Sequence, residues 1–312
     1  MKILLIRLSA LGDLVYVSAV LEGLPGHEVH LALYAPFQDL YAADPRVARI
    51  WPIEPGASWE HLRGLVRQWR SEGFDVAVDL HRKPLTHWLL WQSGAQRRLH
   101  IRKASLQRRL HLWFRWPLRE VPVYRRYLEP LVKAGLIAHP LPQPRLMMQP
   151  MPSRFPLPHR YVVLAPEAVY PTREWPGFRS LAQELERRGI PVVTVGIRRQ
   201  PAFVGVNLTG QTSLREMIAV VQRATVAVSN DSGPAHVASA SGVPTVVLFG
   251  PTVPAFGFRP QGPAPVRVVE NPRLGCRPCS LHGERPCRFG TLQCLRSLKV
   301  EQVLNTVLEF WR

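Results

Sequence analysis

The chain of 312 residues predicts an α/β fold made of two Rossmann-like halves, each a parallel sheet with helices on both faces. Three observations predict it. Short apolar runs alternate with helix-like stretches through the first half, the alternation restarts in the second, and a proline-rich stretch lies between them. In the first half the strands fall at Lys2–Arg7, Glu28–Tyr34, Arg49–Ile53 and Phe74–Leu80, with helical patterns at Leu14–Glu22, Trp59–Ser71 and Leu85–Gln92. "AHPLPQPRLMMQPMPSRFPLP", residues 138–158, holds seven prolines in 21 positions, which neither a helix nor a central strand tolerates. It reads as a linker and divides the chain into residues 1–150 and 151–312. Beyond it "YVVLAP", "PVVTVG", "TVAVSN" and "PTVVLFG" read as strands, with helices at Gly177–Arg188, Ser213–Arg223 and Pro234–Ser241. Val300–Phe310 reads as a closing helix, able to pack back on the N-terminal half. Two such halves would hold a ligand in the cleft that their sheets face.

Hydrophobic residues make up 46% of the chain and aromatics 9%, enough for real cores. No apolar run reaches the roughly 18 residues of a membrane span. Arg7 and Asp13 interrupt the N-terminal apolar stretch too early for a secretion signal, so a cytoplasmic protein is expected. The formal net charge is +18, from 40 Lys and Arg against 22 Asp and Glu. Such a balance implies an anionic partner (a phosphorylated substrate, an acidic lipid surface or nucleic acid), or else a solvated arginine-rich surface. The charge concentrates between His81 and Arg126, where 12 Lys and Arg face one acid, Glu120. There "HLWFRWPLREVPVYRRY" interleaves cations with Trp113, Phe114, Trp116, Tyr124 and Tyr127, as a basic nucleic-acid-binding protein would. Two linked Rossmann-like halves are unnecessary for such a platform, and nucleic acid is the less favoured partner.

The chemistry-bearing residues gather at expected strand ends, where α/β proteins place their sites. Asp13 lies where the first strand feeds the first helix; it could cap that helix or act as a base. No G-x-G-x-x-G follows the first strand and no G-x-x-x-x-G-K-[ST] occurs, which disfavours dehydrogenases and P-loop kinases. No D-x-D pair is present to carry a metal-bound diphosphate, so protein groups would have to neutralise one. In "SNDSGPAH" a strand runs into Asp231, Ser232 and Gly233, and Pro234 suits a first helical turn. This is either an anion site at a helix start or a well-capped turn, with His236 one turn inside. In "PEAVYPTREWPGF", Thr172 and Arg173 bring a hydroxyl and a fixed cation to another strand end.

Taken together, "RLSALGDLVYVSAVL", "PTREWP", "NDSGPAHVASASGVPTVVLFGPT" and "CRPCSLHGERPC" resemble, in that order, glycosyltransferase family 9, the ADP-heptose:lipopolysaccharide heptosyltransferase family. The resemblance implies GT-B architecture, with the acceptor on the N-terminal domain and the nucleotide-sugar on the C-terminal one. It implies that Asp13 is the general base of an inverting transfer. Thr172 and Arg173 would hold the donor diphosphate, Asp231, Ser232, Gly233 and His236 the donor-binding turn, and Thr212 the base pocket. Arg173 stands where the family has Lys. The family's acidic loop after "PVVTVG" is replaced by "IRRQPAFVGVNLTG", which has no acid.

The expected activity is transfer of a heptose or similar sugar from an ADP-sugar to a lipid-linked acidic glycan, foremost the Kdo-containing lipopolysaccharide inner core. A related transferase for another envelope polysaccharide is the alternative. No cofactor is expected for catalysis. Arg97, Arg98, Arg102 and Lys103 are expected to meet the anionic acceptor and the inner face of the inner membrane, as a peripheral contact. Cys276, Cys279, Cys287 and Cys294, spaced C-x2-C-x7-C-x6-C, could bind a structural zinc or pack as reduced thiols. The sequence leaves the oligomeric state open.

Overall fold

The structure, a computed structural model, describes residues 1–150 and 154–312, which divide into two compact units. The first takes residues 1–103 and 123–147, the second 104–122 and 148–312. Residues 151–153 of the proline-rich segment, on which the sequence division falls, lie outside the described residues.

In the first unit β1 (Lys2–Ile6), α1 (Leu11–Glu22), β2 (Glu28–Tyr34), β3 (Arg49–Ile53), α2 (Trp59–Glu72), β4 (Val76–Asp79), α3 (Pro84–Gln92) and β5 (Arg97–His100) follow one another. Among the described residues these strands form one parallel sheet in the order β3-β2-β1-β4-β5. Local chemistry sets the helix ends. Ser58 caps α2 by accepting from the His61 N–H at 3.2 Å, and Gly73 ends it in the left-handed region at φ +67°. One face of the sheet packs Leu4, Ile6 and Ile53 against Leu62, Val66 and Trp69 of α2. Helix α1 is buried continuously from Leu14 to Leu21, as a helix apolar on all sides must be, and packs on α5 (Val123–Lys133).

The helix α4 (Ser105–Phe114) precedes α5 in the chain but belongs to the second unit, to which the chain passes after Lys103. That unit continues with β6 (Val162–Ala165), α6 (Phe178–Arg187), β7 (Val192–Thr194), β8 (Val206–Asn207), α7 (Leu214–Gln222), β9 (Val226–Asn230), α8 (Gly233–Ala240), β10 (Thr245–Phe249), β11 (Val266–Glu270), α9 (Gln293–Arg296) and α10 (Val300–Trp311). Its sheet, again parallel among the described residues, runs β11-β10-β9-β6-β7-β8. The closing helix α10 packs within this unit, with Val303, Leu304 and Val307 in one core with Val162, Val226 and Leu181.

Both sheets reverse their order once, between β1 and β4 and between β6 and β9. At such a point the loops leaving the two strands diverge to opposite faces and open a crevice outside their carboxyl ends. Asp13 follows β1, and the Asp231–Gly233 turn follows β9.

Candidate active site

In the first unit, the chain leaves β1 through Arg7 and enters α1 at Leu11, with Ala10 as the capping residue and no side-chain cap. Asp13 is therefore not the N-cap but sits in the first turn, where the helix dipole favours a negative charge. Its carboxylate is held from two sides. Arg7 Nη2 pairs with Oδ2 at 2.6 Å, and the Tyr127 hydroxyl of α5 donates to Oδ1 at 2.8 Å. Arg7 is itself fixed by donating Nη1 to the Leu80 carbonyl at 2.7 Å, and its guanidinium lies 5.5 Å from the Tyr127 ring centre. Burial pushes the Tyr127 phenol well above its ordinary range, so it stays a donor.

The loop after β4 completes this end of the sheet. Asp79, fully buried, accepts from the N–H groups of His81 and Arg82 at 2.8 Å each and from Thr86 Oγ1 at 3.0 Å. This turns the chain sharply, with Arg82 at φ +53°. His81 Nδ1 accepts from the Leu8 N–H at 3.3 Å, which leaves the ring proton on Nε2. Burial, with Arg7 second, pushes the His81 imidazole down to about 3, so the ring is neutral.

The four expected acceptor cations fall at opposite ends of β5. Arg102 and Lys103 follow β5 at its carboxyl end, and Lys103 Nζ donates to the Arg82 carbonyl at 2.6 Å. Burial lowers the Lys103 ammonium, with Lys83 and Arg7 adding repulsion. Arg97 and Arg98 begin β5, at the opposite edge of the sheet from Asp13's turn. Arg97 donates to the Ala134 carbonyl at 3.1 Å, beyond the end of α5, and Arg98 lies 5.4 Å over the Trp91 ring. Both have local structural work there.

In the second unit, Asn230 bridges the two strands of the switch point. Fully buried, it donates Nδ2 to the Pro166 carbonyl at 2.7 Å and accepts from the Trp175 N–H at 3.0 Å. That brings the Thr172–Arg173 turn beside the start of α8. Arg173 Nη2 pairs with Asp231 Oδ2 at 2.9 Å, and the same oxygen accepts from Thr252 Oγ1 at 2.8 Å. Ser232 is the α8 capping residue and shares a 3.1 Å hydroxyl contact with Ser229, while Gly233 opens the helix and His236 is buried one turn in. Thr172, Arg173, Asp231, Ser232 and Gly233 thus form one cluster. Thr212 stands apart, half-buried just before Ser213, the α7 cap.

Sequence reading missed several parts of these clusters. Tyr127 and Thr252 approach their carboxylates only through the fold. The acid-free loop after β7 covers an acid from β6: Glu167 accepts from the Ile197 and Arg198 N–H groups at 2.7 and 2.9 Å. The cysteine-rich segment closes on the site through its carbonyls, with Thr172 donating to Gly283 and Arg173 Nη1 to His282 at 3.3 Å. Gly283, at φ +77°, is required there, since a Cβ would lie 2.6 Å from Arg173 Cδ.

The four cysteines do not fit a zinc site. Among the described residues no three His, Cys, Asp or Glu side chains gather as metal ligands. The four thiols are free, and burial, reinforced by the neighbouring cysteines, pushes Cys279 up to about 11. Arg277 holds the segment instead. It donates Nη1 to the Asn271 carbonyl at 2.7 Å and Nη2 to the Thr252 carbonyl at 2.8 Å, pairs with Glu270 at 2.7 Å, and bonds the Gly250 carbonyl through Nε. Of the five aromatics in the basic segment, Tyr124 and Tyr127 are buried and cannot stack on bases.

The sequence model of the family described as Glycosyltransferase family 9 (heptosyltransferase) matches residues 143–285. Lipopolysaccharide heptosyltransferase 1 of Pseudomonas aeruginosa is 25% identical over 296 residues, covering 82% of this chain and 80% of its own. A family 9 glycosyltransferase from Veillonella parvula superposes with a TM-score of 0.77 at 19% identity, covering 99% of this chain and 97% of its own. The ADP-heptose lipopolysaccharide heptosyltransferase II of E. coli superposes at 0.74 with 22% identity, covering 100% and 98%. Both structural likenesses carry the GT-B fold. Among the described residues, no helix is long and apolar enough to cross a membrane.

Proposed function

We propose that the chain is a family 9 glycosyltransferase, an inverting heptosyltransferase whose general base is Asp13. The observation that carries the proposal is the Asp13 carboxylate at the β1–β4 switch point, fixed by Arg7 and Tyr127 yet 25% exposed. A carboxylate held on two sides and open on a third is suited to take one proton from one direction. In the reaction an acceptor hydroxyl loses its proton to Asp13 as its oxygen attacks the anomeric carbon. The new C–O bond forms on the face opposite the breaking bond to phosphate, and ADP leaves. Thr172, Arg173 and the free N–H groups at the start of α8 stabilise the departing diphosphate, and no metal ion takes part.

ADP-heptose is the proposed donor, supported by the likeness to heptosyltransferases. Asp231, Ser232, Gly233 and His236 would frame it, with Thr212 nearer the base. The acceptor is a lipid-linked acidic glycan, the lipopolysaccharide inner core in this reading, reached at the cytoplasmic face of the membrane. Arg102 and Lys103, at the same sheet edge as Asp13, are its proposed first contacts; Arg97 and Arg98 are tied up elsewhere on that strand.

The test is Asp13→Asn assayed with ADP-heptose and lipopolysaccharide precursor. Turnover should fall by roughly 10²–10⁴-fold, with an unchanged ADP-heptose-induced rise in melting temperature. Wild-type turnover in the folded variant would remove Asp13 as the base. Activity should survive EDTA; loss on chelation with rescue by Mg²⁺ or Mn²⁺ would overturn the metal-free mechanism.

A further inference from the structure

Helix α4 is built inside out. At about 100° per residue, Arg108, His111 and Arg115 fall on one side and Leu106, Leu110, Trp113 and Phe114 on the other. The cationic side faces the protein. The Arg108 guanidinium lies 4.4 Å over the Phe258 ring, His111 meets Phe256 edge-on at 6.0 Å, and Arg115 donates to the Gly275 carbonyl at 2.9 Å. The apolar side faces outward: Leu106 is 67% exposed, Trp113 59%, Phe114 70%, and Trp116 just beyond the helix 65%. Ordinary surface helices do the reverse. So large an outward aromatic patch marks a surface that something else covers.

We propose that the 105–119 segment docks the enzyme on an anionic lipid bilayer, with Trp113, Phe114 and Trp116 entering the headgroup boundary. The proposal rests on, and deepens, the reading of the acceptor as lipid-linked. Charge selects the occupant. Residues 101–119 contain six Lys or Arg and no acid, and Arg109 and Arg119 are exposed beside the apolar patch. A second copy of the chain would bring like charges together at this surface, whereas anionic headgroups neutralise them. The aliphatic members of the patch, Leu106 and Leu110, stack poorly on nucleic-acid bases but enter acyl chains readily. A helix of 10 residues is only about 15 Å long, too short to span and suited to lie in the interface plane. Tryptophan is enriched at that depth because its ring is amphipathic.

The test is co-sedimentation of the full chain with vesicles of phosphatidylethanolamine and phosphatidylglycerol, against vesicles of phosphatidylcholine alone. The variant Trp113→Ser/Phe114→Ser/Trp116→Ser should lose about tenfold or more in partitioning to the anionic vesicles. Arg109→Gln/Arg119→Gln should lose binding selectively to anionic vesicles, an effect that rising salt reproduces in the wild type. The aromatic variant should keep its ADP-induced melting shift and its transfer to an acceptor stripped of lipid. Wild-type partitioning by the aromatic variant would overturn the proposal. So would a wild type that ignores anionic vesicles, that self-associates through this surface, or that binds oligonucleotides in preference to vesicles. Failure of ADP-heptose to bind or react would instead defeat the heptosyltransferase reading and leave the vesicle result standing.

Discussion

Removing a single hydroxyl, by Tyr127→Phe, tests how the Asp13 carboxylate is made competent. The ring stays in the α1–α5 core, so the change is confined to the 2.8 Å hydrogen bond donated to Oδ1. Two effects oppose each other. Without that donor the carboxylate becomes more basic, which through a partial Brønsted dependence returns less than about tenfold in rate. It also keeps only the Arg7 pair of these two supports, and a misplacement of about 1 Å can cost about 100-fold. Positioning outweighs basicity, so kcat should fall about tenfold net. The apparent affinity for ADP-heptose should not change, because the residues proposed to bind it belong to the other unit. The acid limb of the kcat/KM profile should move to higher pH, since losing a hydrogen bond favours the protonated carboxyl. Steady-state transfer rates across pH 5–9, with the melting temperature as a folding control, measure all three. A folded variant with unchanged kcat and an unmoved acid limb, beside an inactive Asp13→Asn, would refute Tyr127 as a positioning residue.

Two further predictions concern the supports around these clusters. Arg277→Met strands the Gly250, Asn271 and Thr252 carbonyls and the Glu270 carboxylate, and should destabilise the chain by about 3–5 kcal/mol while weakening ADP binding. Cys276→Ser and chelation should leave the melting temperature nearly unchanged; the opposite ranking would restore a metal to the cysteine segment. His81, held neutral down to about 3 in the folded chain, takes up a proton on unfolding once pH falls below its ordinary value near 6.5. Its contribution therefore erodes as pH falls through that window, with a slope of at most about 1.4 kcal/mol per pH unit. His81→Asn should flatten the denaturant-measured stability between pH 6 and 4, and superimposable slopes would show that His81 does not titrate this way.

Apolar runs made β1, β2, β6 and β10 legible because these strands bury nearly every residue. It failed for β5, whose Arg-Arg-Leu-His text carries the polar pattern of a sheet edge, and for β8, two residues long. Helix α4 escaped because Leu106, Trp113 and Phe114 face out while Arg108 and His111 face in, so the segment reads as charge rather than as structure. At the candidate site, the turns carrying Asp13, Thr172–Arg173 and Asp231–Gly233 were legible as strand-end motifs, since each is contiguous in sequence. Their supports were not. Tyr127 is 114 residues from Asp13, and Gly283 is 111 from Thr172; such contacts are set by which strands neighbour each other. The cysteine spacing was no better a guide, since spacing alone says nothing of whether four sulfurs converge as metal ligands, and among the described residues no such group is found.

Each switch point carries an arginine–carboxylate pair, and the exposures within the two pairs run in opposite directions. In the first, Arg7 is 9% exposed and Asp13 25%; in the second, Arg173 is 15% exposed and Asp231 5%. The more accessible member is the one that can meet a substrate, and the buried member holds it in place. A proton on a neutral hydroxyl requires an accessible carboxylate, and a diphosphate requires an accessible cation. The pairing also limits what either member can do alone. Arg173 beside Asp231 contributes little net positive charge, so in the proposed reaction its planar fork would direct phosphate oxygens while the start of α8 carries more of the stabilisation. Asp13 beside Arg7 remains fixed before any acceptor arrives, and the enzyme need not reorganise its base at the moment of transfer.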